Sequence, residues 1–147
     1  MKATVIRVAV ANIVHPARRA EVEVLVDTSR MFGILPAALL QSLGVEPVAR
    51  WRFESASGSA QVRQVADIAV LYRNSLGPTR VIFGEENETP VLGSHALDSL
   101  GLRLDPDTGE LKPYPLPLYS CVSRYTASAL RTSAVKAGDV SWRQCQR

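Results

Sequence analysis

The chain is poor in the residues that build metal centres, disulfide frameworks and membrane spans. Its 147 residues include two cysteines and two histidines. Cys121 and Cys145 stand near the C-terminus with no companion histidine, so they form neither a metal-ligand set nor a disulfide framework. No metal and no cofactor is expected. No apolar run approaches the roughly 18 residues that a membrane-spanning helix requires. The opening stretch, MKATVIRVAVANIV, is broken by Arg7 and alternates like a strand, which does not fit a signal peptide. These absences lead to the expectation of a cytoplasmic, reducing setting with no membrane partner.

What is present is an ordinary soluble balance, 46% hydrophobic and 21% charged, in a chain long enough for one domain with a sizeable core. Its positive charge is unevenly placed. Residues 119–147 carry five basic groups, Arg124, Arg131, Lys136, Arg143 and Arg147, against Asp139 alone, a net of +4. The preceding 118 residues carry 12 basic and 13 acidic groups, a net of −1. The basicity therefore belongs to the C-terminal segment. Without a basic, aromatic-interleaved stripe in the body, a nucleic-acid partner is not expected. Residues 1–118 read as the domain, and 119–147, which lack period and caps, as a basic, disordered tail.

Along the body, alternation of Val, Ile and Ala with polar residues marks strands at 3–12 and 20–28. HPARRA between them is a turn. PAALLQSLG opens with Pro36, closes with Gly44 and places Leu39, Leu40 and Leu43 on one face of a short helix. VARWRFES and AQVRQVADIAVLY flank SASGSA as a long hairpin with a small tip. TRVIFG and TPVLG add two strands. SHALDSLG is a second short helix, with Ser94 as its expected N-cap and Gly101 as its stop. The fold expected is mainly β, with two short helices.

Two stretches offer a chemically interesting aspartate. VLVDTSRMFGILP holds Asp27, and LDPDTGEL holds Asp107. The second matches the signature Asp-Thr-Gly letter for letter, but it lies between two short, polar-ended strands. There the glycine takes positive φ, the aspartate bonds its own backbone, and a solvent-facing turn results. Asp27 instead follows the apolar run Val24, Leu25, Val26, a context suited to a partly buried carboxylate. Asp27 is the candidate.

Over roughly residues 2–118 the chain resembles the retropepsin-like aspartic proteases, particularly the small single-domain bacterial members. The resemblance rests on VLVDTS followed by ILP and a helix, on the hairpin at 50–65, on PVLG with its helix, and on the ending LGLRLDPDTGEL. It implies a closed β-barrel or sandwich whose hairpin is a flap, and a homodimer in which each subunit supplies one catalytic Asp27. It also implies that Thr28 and Ser29 form the active-site turn, with Thr28 bonded to the partner's backbone. Arg30, Ser57 and Gly58 would line the substrate cleft, and the substrate would be a peptide or protein. The chain departs from the family pattern twice. Ser29 stands where glycine is usual, and Arg30 stands where Ala or Ser is usual, at a position facing the cleft. A guanidinium there would favour ionisation of both carboxylates. The alternative is therefore a catalytically weak or inactive dimer of the same fold, serving as a peptide-binding or scaffold module.

Overall fold

The computed structural model describes residues 3–115 and Leu118. Cys121, Cys145 and the basic segment 119–147 lie outside the described residues. The first unit of the chain, Met1–Pro115, contains every element below. In chain order these are β1 (Thr4–Asn12), β2 (Arg19–Val26), β3 (Gly33–Pro36), α1 (Ala37–Ser42), β4 (Ala49–Glu54) and β5 (Ala60–Tyr72). They continue with β6 (Ser75–Gly84), β7 (Val91–Leu92), α2 (Ser94–Leu100), β8 (Leu102–Leu104) and β9 (Leu111–Pro113).

Strands of period two put alternate side chains on one face, and here that face is the core. β1 and β2 pair antiparallel and bury Val8, Val10, Val24 and Val26. β5 crosses the end of β1 with Val70 opposite Val10, and both side chains are fully enclosed. Burial of each such Val, Ile or Leu contributes about 1.5–3 kcal/mol. Seven strands run in the order β1-β2-β7-β3-β6-β5-β4, and the β1–β5 pairing closes six of them into a ring. β4 stays outside the ring, bonded to β5 alone. Those two strands form the hairpin that rises over the site.

The short helices seal the core through Leu40 of α1 and through Ala96, Leu97 and Leu100 of α2. Helices of six and seven residues have little stability alone, so this packing is what holds them. Gly101 ends α2 in the left-handed region at φ 68°, as its sequence position implies. The start of α2 differs from the expectation. Gly93 occupies the cap position, Ser94 is already helical, and no side chain caps the turn. The unpaired N–H groups of Ser94 and His95 donate instead to the carbonyls of Arg30 and Met31, at 2.8 and 3.0 Å. Backbone from the Asp27 loop has taken the place of a capping hydroxyl.

Candidate active site

Asp27 sits at the end of β2, held by a strand that arrives from far along the chain. β7 lies between β2 and β3, parallel to the first and antiparallel to the second. The Asp27 N–H donates to the Leu92 carbonyl at 3.0 Å, and the Leu25 N–H to the Pro90 carbonyl at 2.9 Å. The strand entering the Asp27 turn pairs with both residues of β7, and the strand leaving it pairs with the first of them, Ile34 opposite Val91. Such close passage needs residues without Cβ atoms. A Cβ on Gly93 would come within 2.5 Å of the Met31 carbonyl oxygen, and one on Gly33 would strike the Val91 carbonyl.

The carboxylate accepts three hydrogen bonds from its own turn. Oδ1 receives the Ser29 N–H at 3.0 Å and the Ser29 hydroxyl at 2.5 Å, and Oδ2 receives Nε–H of Arg30 at 3.1 Å. The Ser29 hydroxyl is the main reason that the Asp27 carboxyl is held below its usual range. Partial burial opposes that shift, and the Ser29 N–H and the Arg30 guanidinium add to it. Ser29 adopts this turn without strain, because Arg73 is the only non-glycine with positive φ among the described residues. The glycine usual at this position is therefore not needed for backbone reasons. Thr28 is exposed beside it.

Arg30 lies at a cavity with its side chain half-exposed. Its side chain helps to wall a cavity of about 370 Å³ beneath the hairpin, with Phe32 and Ile34 after the turn, Phe53 on β4 and Ile82 on β6. Asp27 is joined to that cavity through Arg30. At the hairpin end the hydroxyls of Ser55 and Ser59 approach within 2.7 Å, and both residues line the cavity. Ser57 and Gly58 sit at the exposed tip, Gly58 with φ 83°, and do not belong to the lining.

The sequence reading missed one pair in this cavity, Arg63 and Glu88. Arg63 donates through Nη1 and Nη2 to the two carboxylate oxygens at 3.0 and 2.6 Å, and through Nη2 to the Phe83 carbonyl at 2.6 Å. These bonds from Arg63 hold the Glu88 carboxyl below its usual range. A signal was available. Strand alternation puts Arg63 on the same face as Val65, which is fully buried, so an inward arginine required a partner.

Asp107 lies in an exposed turn between β8 and β9, with Gly109 at φ 71°. The residue that organises this turn is Asp105, whereas the sequence reading gave that part to Asp107. Oδ1 of Asp105 accepts the N–H groups of Asp107 and Thr108, at 2.9 and 3.4 Å, and Lys112 pairs with Oδ2. Trp51 packs at the hairpin base, 5.8 Å from Phe32 with the Arg80 guanidinium 4.7 Å over its ring. His95 meets the Thr79 hydroxyl through Nδ1 at 3.1 Å. Among the described residues no cluster of three or more His, Cys, Asp or Glu is placed to hold a metal ion, and no helix is long and apolar enough to cross a membrane.

This arrangement is a retropepsin-like fold. EIAV protease, solved in complex with the inhibitor HBY-793, superposes with a TM-score of 0.52 at 17% identity, over 71% of this chain and 93% of its own. A retropepsin-like aspartic protease from Rickettsia conorii aligns with a TM-score of 0.43 at 15% identity, over 73% of this chain and 90% of its own. No family model and no curated protein matches the sequence.

Proposed function

We propose that the protein is an aspartic endopeptidase that works as a homodimer, with Asp27 of each subunit forming the catalytic pair. The observation that carries this reading is the seating of Asp27. It ends an apolar strand, its turn is clamped by β7, and its carboxyl, with 30% side-chain exposure, bonds Arg30, which lines a cavity under the hairpin although Asp27 itself does not. Among the described residues one chain provides one such carboxyl, and in this reading the second comes from a twofold-related copy. Two carboxyls about 3 Å apart do not both ionise readily, and they share one proton. The ionised member takes a proton from a bound water as the water oxygen attacks the peptide carbonyl. The protonated member gives its proton to the carbonyl oxygen, forming a gem-diol. Collapse of the gem-diol breaks the C–N bond and returns a proton to the leaving nitrogen. Thr28 serves the pairing of the two turns, and the substrate is a peptide or protein in a reducing, cytoplasmic setting.

A second reading has its own observation in favour. Three hydrogen bonds hold Asp27 in the charged form, which disfavours the shared proton. A dimer that binds peptides and cleaves none would act as a peptide-binding or scaffold module. Digestion of a peptide library from about pH 3 to pH 8, with Asp27→Asn as control, tests the proposal. Cleavage by the wild type that the variant lacks supports the endopeptidase, and binding without cleavage supports the second reading.

A further inference from the structure

Arg30 holds two positions at once. Its Nε–H donates to Oδ2 of Asp27, and its side chain walls the cavity under the hairpin. A guanidinium has five N–H donors, and among the described residues Arg30 has no acceptor beyond Asp27. Arg63 is different: 13% exposed, it is satisfied by both oxygens of Glu88 and by a backbone carbonyl. Glu54, also in the lining, is largely exposed and lies 3.7 Å from Arg52. Among the described lining residues Arg30 is therefore the cation with the most donors left unspent.

Dyad chemistry requires one carboxyl of the pair to carry a proton. Two of the bonds that keep Asp27 charged come from Ser29, within the turn itself. The third comes from a side chain that is 54% exposed and bound through Nε alone. A carboxylate entering the cavity competes for this guanidinium with bidentate geometry, which a single Nε–H contact cannot match. Phe32, Ile34, Phe53 and Ile82 provide apolar walls for the methylenes of such a side chain.

We propose that Arg30 is a specificity-determining residue: it recognises an acidic side chain of the substrate in this cavity, and that engagement draws the guanidinium off Asp27. The inference rests on the endopeptidase reading, and the substrate class it names is peptides with Glu or Asp near the scissile bond. The enzyme is thereby relieved of a charge-stabilising contact only when the correct side chain arrives.

The test uses the full chain and matched octapeptides carrying Glu or Gln at successive positions around the cleaved bond. At one position wild-type kcat/KM should favour Glu by about tenfold or more, the scale of a charge-assisted pair. Arg30→Gln should abolish that preference, raising KM for Glu peptides and raising kcat for Gln peptides. Arg30→Lys, which keeps the charge, should retain part of the preference. Cleavage without an acidic preference, or a preference that survives in Arg30→Gln, overturns the inference and leaves the endopeptidase reading standing. A binding arm separates the two ideas. Fluorescence anisotropy of labelled Glu and Gln peptides is measured on Asp27→Asn and on Asp27→Asn with Arg30→Gln. If the wild type cleaves nothing but Glu peptides bind at least about tenfold tighter in an Arg30-dependent way, acidic recognition stands and the endopeptidase reading falls. Equal binding of the two peptides overturns the inference.

Discussion

Oδ2 of Asp27 lies 3.1 Å from Nε of Arg30, and the Ser29 hydroxyl sits on the other carboxylate oxygen. Both contacts favour the ionised carboxyl, with the hydroxyl as the larger cause. Ser29→Gly should therefore raise the Asp27 pKa more than Arg30→Ala does, and both should shift the acid limb of the pH–rate profile upward. For stability, a depressed carboxyl pKa contributes above the unfolded value of about 3.9, and the contribution is lost as pH falls through the lower folded value. Carboxyl-carbon NMR titration of the three proteins reads the order directly, and a larger shift for Arg30→Ala would contradict it.

Asp27→Asn should abolish cleavage, a fall of about 10²-fold to 10⁴-fold or more, with the fold and the dimer preserved. Asparagine is nearly isosteric but can neither take the water proton nor supply one. Asp107→Asn should alter activity less than about twofold, because only the backbone N–H of Asp107 enters the turn that Asp105 organises. Kinetics on the two purified variants, with sedimentation for the dimer, would expose a reversed assignment.

Gly93→Ala should destabilise the protein by about 1–3 kcal/mol, the usual cost of overpacking. The new Cβ would lie 2.5 Å from the Met31 carbonyl oxygen and 2.8 Å from backbone carbon of Phe32. These are backbone atoms of the loop that leaves Asp27, so activity should fall along with stability. Urea denaturation checks the first effect. An unchanged midpoint would show that β7 and the loop are less closely locked than their geometry implies.

The β8–β9 turn should be sensitive to acid in a definable window. Asp105 is lowered to about 2, chiefly by the Lys112 ammonium and then by the Asp107 N–H. Its ionisation therefore supports the folded turn above about pH 3.9, the unfolded value, and that support is lost as pH falls through about 2. Lys112→Met should raise the Asp105 pKa and flatten the fall in melting temperature across this interval. An Asp105 that titrates near its ordinary value in the wild type would refute the assignment.

Much of this molecule was legible in one dimension because the signals act over a few residues. Alternation located the long strands, and Gly101 marked the end of α2. The apolar run before Asp27 and the polar setting of Asp107 distinguished two nearly identical tripeptides. Other features depend on partners that periodicity does not specify. Buried Asn12 looks like any strand-end polar residue, yet its amide donates to the carbonyls of Leu43 and Gly44 at the end of α1. Ser94 looks like a cap, but carbonyls more than sixty residues earlier occupy that place. The resemblance put Arg30 in the cleft, but the Nε–H that it gives to Oδ2 of Asp27 shows only in the folded turn. By itself the sequence determined the strands and the turns, through short-range sterics and hydrophobic pattern, and it offered Asp27 as the candidate aspartate. Only the tertiary structure decided what lines the cavity beside Arg30. Insertion of β7 between β2 and β3 and the closure of the hairpin bring Arg30, Phe53, Arg63 and Glu88 around one cavity, and long-range packing selects those neighbours.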